Sequence, residues 1–533
     1  MNTIRIKLSA FLIFVMTIVI FSTRLSQQEI IAFDSRFYLF AQEMLRNGWS
    51  WFPTTYGEWY PDYPATSTWL IVGIAKLFGG LNKISALLPT IFFSALTLTF
   101  TYLIGRLQRE RIGWAAIFFL LLTLFFMRTI RSISLDMMIT AITTMTFYVV
   151  HANEVLQKSK RILWIYPLFL LGFLIRGPIG LVMPVGVMCA YYLVTKNYSS
   201  LIKRGMIALF ILLSCIGLLI LLADYVGGGL FIKDVLRMQV FGRLETASLP
   251  RYFYFIDGFG SYALAYPVAV IVLFAVVWQW FKSRTLTPDM RFIFLLSSWA
   301  IIILIGMSVP ADKKVRYILP MLPACALIAA TFYTSQTLRF SWLKKLLSAI
   351  FFILPTLFFA AIYWIAHTNE TKSLSLPIAF HFCFLIFLLL QLLQIFVLWK
   401  GKRDDLAIYL LGIAAIAFTF FYLFVMEPAQ LFLSRGRDAV QTIERLRAMD
   451  HAKLIFYREN PDGLPIKYVI NMNTTEPPIY TSSLDELKKS HDAIYVVTST
   501  SYSNDIDVGL KNEFKKIMTT KIAHVDIVVY KRT

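Results

Sequence analysis

Apolar runs long enough to cross a bilayer recur along the first four-fifths of the chain, separated by short polar links. Counted at about 20 residues per crossing, they predict about thirteen spans, at roughly 6–24, 84–105, 113–128, 137–155, 162–175, 178–195, 205–223, 255–281, 292–309, 317–335, 346–366, 376–399 and 407–426. The run Thr68–Phe78 is too short to cross and belongs in or near the interface. Two stretches break the pattern. Residues 25–83 form a polar and aromatic loop between the first two spans, with an amphipathic helix over Arg36–Arg46. Residues 427–533 are charged and mixed. There LIFYRE, YVINM, AIYVVTS and HVDIVVYKR read as strands, and Asp438–Met449, Leu484–Ser490 and Leu510–Met518 as helices. The expected architecture is a polytopic α-helical membrane protein over 1–426 followed by a small soluble α/β domain over 427–533.

Composition agrees with a membrane protein. The 533 residues are 58% hydrophobic and only 15% charged, far from the quarter expected of soluble domains. The net charge of +20 is not a nucleic-acid footprint, because the Lys and Arg sit mostly in links between spans. Every second link is basic: Arg106, Arg109 and Arg111; Lys158, Lys160 and Arg161; Lys196, Lys203 and Arg204; Lys282, Arg284 and Arg291; Arg339, Lys344 and Lys345; Lys400, Lys402 and Arg403. These links and the N-terminus are therefore expected in the cytoplasm, and the loop 25–83 and residues 427–533 outside. The segment Ile6–Phe21 lacks a small-residue cleavage site and reads as an uncleaved span. Cys189, Cys215, Cys325 and Cys383 lie in apolar runs and read as reduced packing residues.

Against the orientation rule, many ionisable residues fall on the outer side: Asp34 and Arg36; Asp62; Arg128, Arg131 and Asp136; Arg176; Arg237, Arg243 and Arg251; Asp312, Lys313, Lys314 and Arg316. They come from separate loops that open on one face. Carboxylates among so many cations suit an anionic substrate, most simply a phosphate. Each has a plainer reading. Asp136 could cap the helix that starts at Met137. Arg128 and Arg131 could snorkel to headgroups. Arg176 precedes Gly177-Pro178 in a hairpin between two spans and could bond helix-end carbonyls. Lys313, Lys314 and Arg316 could bind anionic lipid without specificity. Asp34, a carboxylate at a helix exit amid aromatics, has the weakest plain reading. The six histidines suit structural roles, and no Walker, GxGxxG or HExxH motif is present.

These stretches resemble, in order, the lipid-linked-sugar glycosyltransferases of the GT-C class. The similarity is greatest to the bacterial branch that includes the aminoarabinose transferases for lipid A and the protein mannosyltransferase-like enzymes. It is carried by FDSRFYLFAQEMLRNGW, YPDYPATSTWLI, SISLDMMIT at Asp136, FLIRGPIGLVMP at Arg176, FGRL at Arg243 and KKVRYILPMLP at Lys313–Pro323. The resemblance implies attack of an acceptor oxygen on sugar C1 with polyprenyl phosphate, such as undecaprenyl phosphate, leaving. It implies Asp34, Asp62 and Asp136 as catalytic acids, and Arg176, Arg243, Lys313, Lys314, Arg316 and Tyr317 around the donor phosphate. Arg36, Arg131 and Tyr60 would position substrate. It implies a bacterial inner-membrane enzyme with its active site and C-terminal domain in the periplasm. The acceptor would be lipid A or another glycolipid, or alternatively a protein hydroxyl.

The chain departs from the family in three places. Where two adjacent acids are usual after the first span it has one, Asp34, beside Phe33 and Ser35. Where the aminoarabinose branch has Glu-Lys-Pro it has Asp62-Tyr63-Pro64, and a histidine usual near Ala247 is missing. No cofactor is required by these motifs; a divalent metal is left open, without a ligand set to support it. The rival reading, a lipid or glycolipid transporter, calls for similar halves and midplane charges, which the sequence lacks.

Overall fold

The computed structural model describes all residues except 1, 28–33, 63, 158, 242–248, 339, 368–376, 401–402, 435, 461–462, 473–478, 490–493 and 523–524. Among the described residues, eleven helices are long and apolar enough to cross a membrane. A bent pair, Glu110–Leu121 and Leu124–Ile130, turns by 79° and makes a twelfth if taken as one span. Lys83–Gln108, Leu135–Leu156 and Val315–Thr334 are buried along most of their length and form the centre. Around them the helices Ile6–Gln27, Tyr198–Gln239 and Phe382–Lys400 present rows of large apolar side chains, such as Phe210, Leu221 and Trp399. That surface would aggregate in water and is what lipid covers.

With the bent pair counted as the expected span 113–128, the count differs from the expected thirteen at one place. Residues 162–175 and 178–195 were expected as two spans, and they are joined in one 35-residue helical stretch, Lys160–Val194. Straight, it would be about 52 Å long at ~1.5 Å per residue. Instead it folds back at Arg176 (φ −142°, ψ 23°) and Gly177 (φ 63°, ψ −151°). The reversal brings Gly172 against Gly180: a Cβ on either would overlap the other's backbone carbonyl. The expected hairpin at Gly177-Pro178 is present, without an intervening loop. A second break, at Gly228 in Tyr198–Leu236, sends the following residues back toward the loop, where Phe231 packs edge-on to Phe52 at 4.9 Å. The expected span 255–281 is likewise divided, into Phe253–Ser261 and Ala265–Ser283.

The opening loop holds a helix, Asp34–Asn47, slightly longer than expected, then a small hairpin of β1 (Thr54–Thr55) and β2 (Glu58–Trp59). Glu43 closes that hairpin: its buried carboxylate accepts the backbone N–H groups of Tyr56 (2.5 Å) and Gly57 (3.2 Å). The short helix Thr66–Leu77 follows.

The C-terminal part carries a five-stranded sheet in the order β4-β3-β5-β7-β6, with β3 Lys453–Tyr457, β4 Ile479–Thr481, β5 Ile494–Ser499, β6 Phe514–Ile522 and β7 Val525–Arg532. β3 is parallel to both β4 and β5, and β7 is antiparallel to β5 and β6. Two local expectations fail. YVINM lies in the helix Leu464–Met472, whose second residue, Pro465, needs no amide hydrogen in the first turn. The helix expected over Leu510–Met518 is instead the end of the preceding turn and the start of β6, which gains a ladder with β7. The last apolar helix also runs past the composition break at Met426, to Leu431. Leu39 of the opening loop packs with Ile466 and Val469, and Tyr56 meets Tyr480 at 6.2 Å, so loop and sheet share one end of the molecule.

Candidate active site

Asp136 is the second residue of the helix Leu135–Leu156 and is 3% exposed. It does not cap that helix: Ser134 does, accepting the Met137 N–H at 3.2 Å. The carboxylate is left to two guanidiniums. Arg176 from the helical hairpin contacts one oxygen, and Arg316 Nε lies 3.3 Å from the other. Arg176 is itself 3% exposed. Burying a carboxylate is tolerable only beside such partners, and an acid in a first helical turn also meets the favourable end of the dipole.

Arg316 and Tyr317 belong to the tight turn Val315–Met321, fixed from below by Trp299, whose indole N–H donates to the Pro320 carbonyl at 3.0 Å. The Tyr317 ring lies close to both arginines, 5.0 Å from Arg176 Cζ and 5.4 Å from Arg316 Cζ. Its hydroxyl donates to Asp312 Oδ2 at 3.1 Å, and Lys314 Nζ is 3.6 Å from the same oxygen. Partial burial lowers the pKa of Lys314 below the usual lysine value, against the fields of Asp312 and Asp62, which raise it. Asp62 is thus drawn to the same group. Its backbone carbonyl accepts the Gln239 side-chain amide, and that side chain also covers Gly177, where a Cβ would meet Gln239 Oε1 at 2.6 Å. Three motifs distant in sequence, at 136, 176 and 312–317, therefore converge at the end of the bundle that carries the sheet.

The other expected residues fall differently. Arg36 contacts the Tyr60 hydroxyl and lies over its ring at 5.0 Å, two residues from Asp62. Lys313 is buried, with its ammonium donating to the carbonyls of Pro310 (2.7 Å) and Leu249 (3.2 Å), so it ties two loops together. Arg131 is engaged elsewhere: Nε and Nη2 meet Glu427 at 3.0 and 2.6 Å, and Nη1 donates to the carbonyls of Phe21 (2.6 Å) and Thr23 (2.7 Å). Those contacts clamp separate chain segments together. Arg128 is exposed. Arg243 and the side chain of Asp34 lie outside the described residues. Among the described residues no group of three His, Cys, Asp or Glu side chains could hold a metal ion.

Sequence reasoning missed Gln239 and Glu427. Nothing sets Gln239 apart in its stretch. Glu427 carried a usable sign, an acid inside an apolar run. Beside the charged group runs an apolar groove, between Trp51, Phe52 and Trp69 of the loop, Phe173 and Leu174 just before Arg176, and Leu218.

Comparison with known proteins adds three findings. Residues 62–223, under a third of the chain, match the family described as dolichyl-phosphate-mannose-protein mannosyltransferase. An uncharacterized protein of Aquifex aeolicus (strain VF5) is 27% identical over 422 residues, covering 77% of this chain and 76% of that protein. The crystal structures of ArnT from Cupriavidus metallidurans superpose along 97% of both chains: TM-score 0.69 at 18% identity bound to undecaprenyl phosphate, and 0.67 at 17% in the apo state. The matched stretch contains Asp62, Asp136 and Arg176. By its whole-length likeness to ArnT the chain has the GT-C glycosyltransferase fold, and its resemblance to the mannosyltransferase family is carried by residues 62–223.

Proposed function

We propose that the protein transfers a sugar from a polyprenyl-phosphate donor to an acceptor at the periplasmic face of a bacterial inner membrane, the acceptor being lipid A or another glycolipid. The observation that carries this reading is the pair of guanidiniums, Arg176 and Arg316, converging on one buried carboxylate with the Tyr317 ring close to both. Arg176, Arg316 and Lys314 bring three cationic side chains together there, which suits a phosphate, and the adjoining apolar groove suits an isoprenoid tail. The alternating basic links support the periplasmic placement.

In the reaction the acceptor oxygen bonds to sugar C1 while the bond from C1 to the phosphate oxygen breaks. The leaving polyprenyl phosphate gains charge, and fixed guanidiniums stabilise that charge more than they stabilise the bound donor. Asp136 holds Arg176 and Arg316 in place. Lys314, with Arg243, adds positive charge, and Asp62 meets sugar or acceptor hydroxyls. For a hydroxyl acceptor Asp34 takes the proton. A phosphate acceptor is already ionised, and Asp34 then only orients it.

The family match favours a second acceptor class, a protein hydroxyl, by a mannosyl-type transfer. Purified protein in lipid nanodiscs, given undecaprenyl-phosphate-linked sugars with either lipid A or hydroxyl-bearing peptides, separates the two. Transfer to neither, with folded protein and donors of several sugars, sinks the proposal. Asp34→Asn discriminates further: a loss of about 10²–10⁴-fold marks a hydroxyl acceptor, and a loss near tenfold marks a phosphate acceptor.

A further inference from the structure

We propose that the hydroxyl of Tyr254 donates a hydrogen bond to the phosphate of the bound polyprenyl phosphate; this rests on the function proposed above. Tyr254 stands in the first turn of Phe253–Ser261 and is fully buried. That helix is pressed against the turn that carries Arg316 and Tyr317. Just beyond its end, the Tyr262 hydroxyl donates to the Val315 carbonyl at 2.9 Å, and a Cβ on Gly258 would sit 3.2 Å from Ile318. The Tyr254 phenol accordingly lies within the fields of Tyr317, Asp312 and Arg176.

Among the described residues the Tyr254 hydroxyl has no partner in hydrogen-bond geometry. The polar group that faces it is the backbone amide of Lys314, which is itself a donor. The phenolic proton therefore meets no acceptor. A phenol keeps its proton at neutral pH and so acts as a donor here. A buried hydroxyl in that position costs stability, whereas a phosphate oxygen held by Arg176 and Arg316 supplies the missing acceptor. Tyr254 is then a ligand contact, whose hydrogen bond is made only when the lipid phosphate is present.

Tyr254→Phe keeps the ring and deletes the proton. Binding of undecaprenyl phosphate to nanodisc-embedded protein should weaken about tenfold. Binding of undecaprenol, the same tail without phosphate, should not change. The thermal midpoint of the lipid-phosphate-free protein should hold or rise, because the variant buries no unmatched hydroxyl. Tyr266→Phe is the control: its hydroxyl is also buried without a partner, but on a neighbouring helix and outside this group, and affinity should stay at the wild-type value. Equal affinity of Tyr254→Phe and wild type for undecaprenyl phosphate overturns the inference and leaves the proposed function standing. So does a lowered midpoint with parallel loss for both lipids, which marks a packing role. Failure of wild-type protein to bind undecaprenyl phosphate overturns both.

Discussion

Two buried arginine–carboxylate groups sit five residues apart in the chain and do different things. At Arg131 the contacts run to other parts of the chain: Glu427 accepts two of its N–H groups, and the carbonyls of Phe21 and Thr23 accept two more. At Asp136 a single carboxylate meets both Arg176 and Arg316, with the Tyr317 ring close to both guanidiniums. The first group is closed: its arginine is 1% exposed and joins segments of the bundle to one another. The second is open: it gathers guanidiniums from two separate motifs, and the Arg316 side chain remains 23% exposed. Sequence alone shows two arginines on the same side of the membrane and cannot tell these apart.

Variants can break or sharpen the contrast. The largest effect belongs to the closed group. Arg131→Ala strands the buried Glu427 carboxylate and should cost about 3–5 kcal/mol of stability, read as a fall in the thermal midpoint. Arg131→Leu with Glu427→Leu should recover most of that loss, and the folded fraction of either variant should turn over normally. A slowed chemical step in folded double variant would erase the distinction.

Next is the open group. Arg316→Gln should lower turnover about 10²-fold, roughly 2.7 kcal/mol of transition-state stabilisation, with little change in midpoint. An unfolded Arg316→Gln protein would move this group to the structural side. Lys314 should give a smaller, pH-dependent effect. Its pKa is lowered by burial, so its charge is lost at lower pH than for an ordinary lysine. Activity that uses that charge falls as pH rises through the lowered value, and Lys314→Arg should keep its activity to higher pH. Coincident alkaline limbs for the two proteins would remove Lys314 from donor binding. Arg128→Ala, at an exposed position, should stay within about 0.5 kcal/mol in stability and near the wild-type rate.

What the sequence made legible follows from the range of its signals. Spans are written locally, in twenty apolar residues at a time, and the bundle was readable. So was the reversal at Gly177-Pro178, because a glycine beside a proline punctuates the chain. Two elements near the C-terminus were misread for the same reason in reverse: YVINM has the aromatic and β-branched residues of a strand, and KNEFKKIM is spaced like a helix. In both the local pattern lost to the neighbour the segment could pair with or pack on. The charged residues were legible as a set, since outer links should be poor in them. Their partners were not. The contact between Arg131 and Glu427 spans 296 residues, and no local pattern carries it. Asp136 could have been a cap, and only the position of the Ser134 hydroxyl decides otherwise.

The Arg131 clamp also sets a condition on biosynthesis. Its acceptors come from the first span and from the far end of the last one. At ~5–20 residues per second, a ribosome needs roughly 15–60 s to travel from Arg131 to Glu427. Throughout that interval the nascent chain holds an arginine whose counter-ion does not yet exist, and any chain stopped short of Glu427 keeps it that way. Truncated products thus carry an unneutralised cation among inserted helices, a chemical mark by which membrane proteases could distinguish unfinished chains from complete ones.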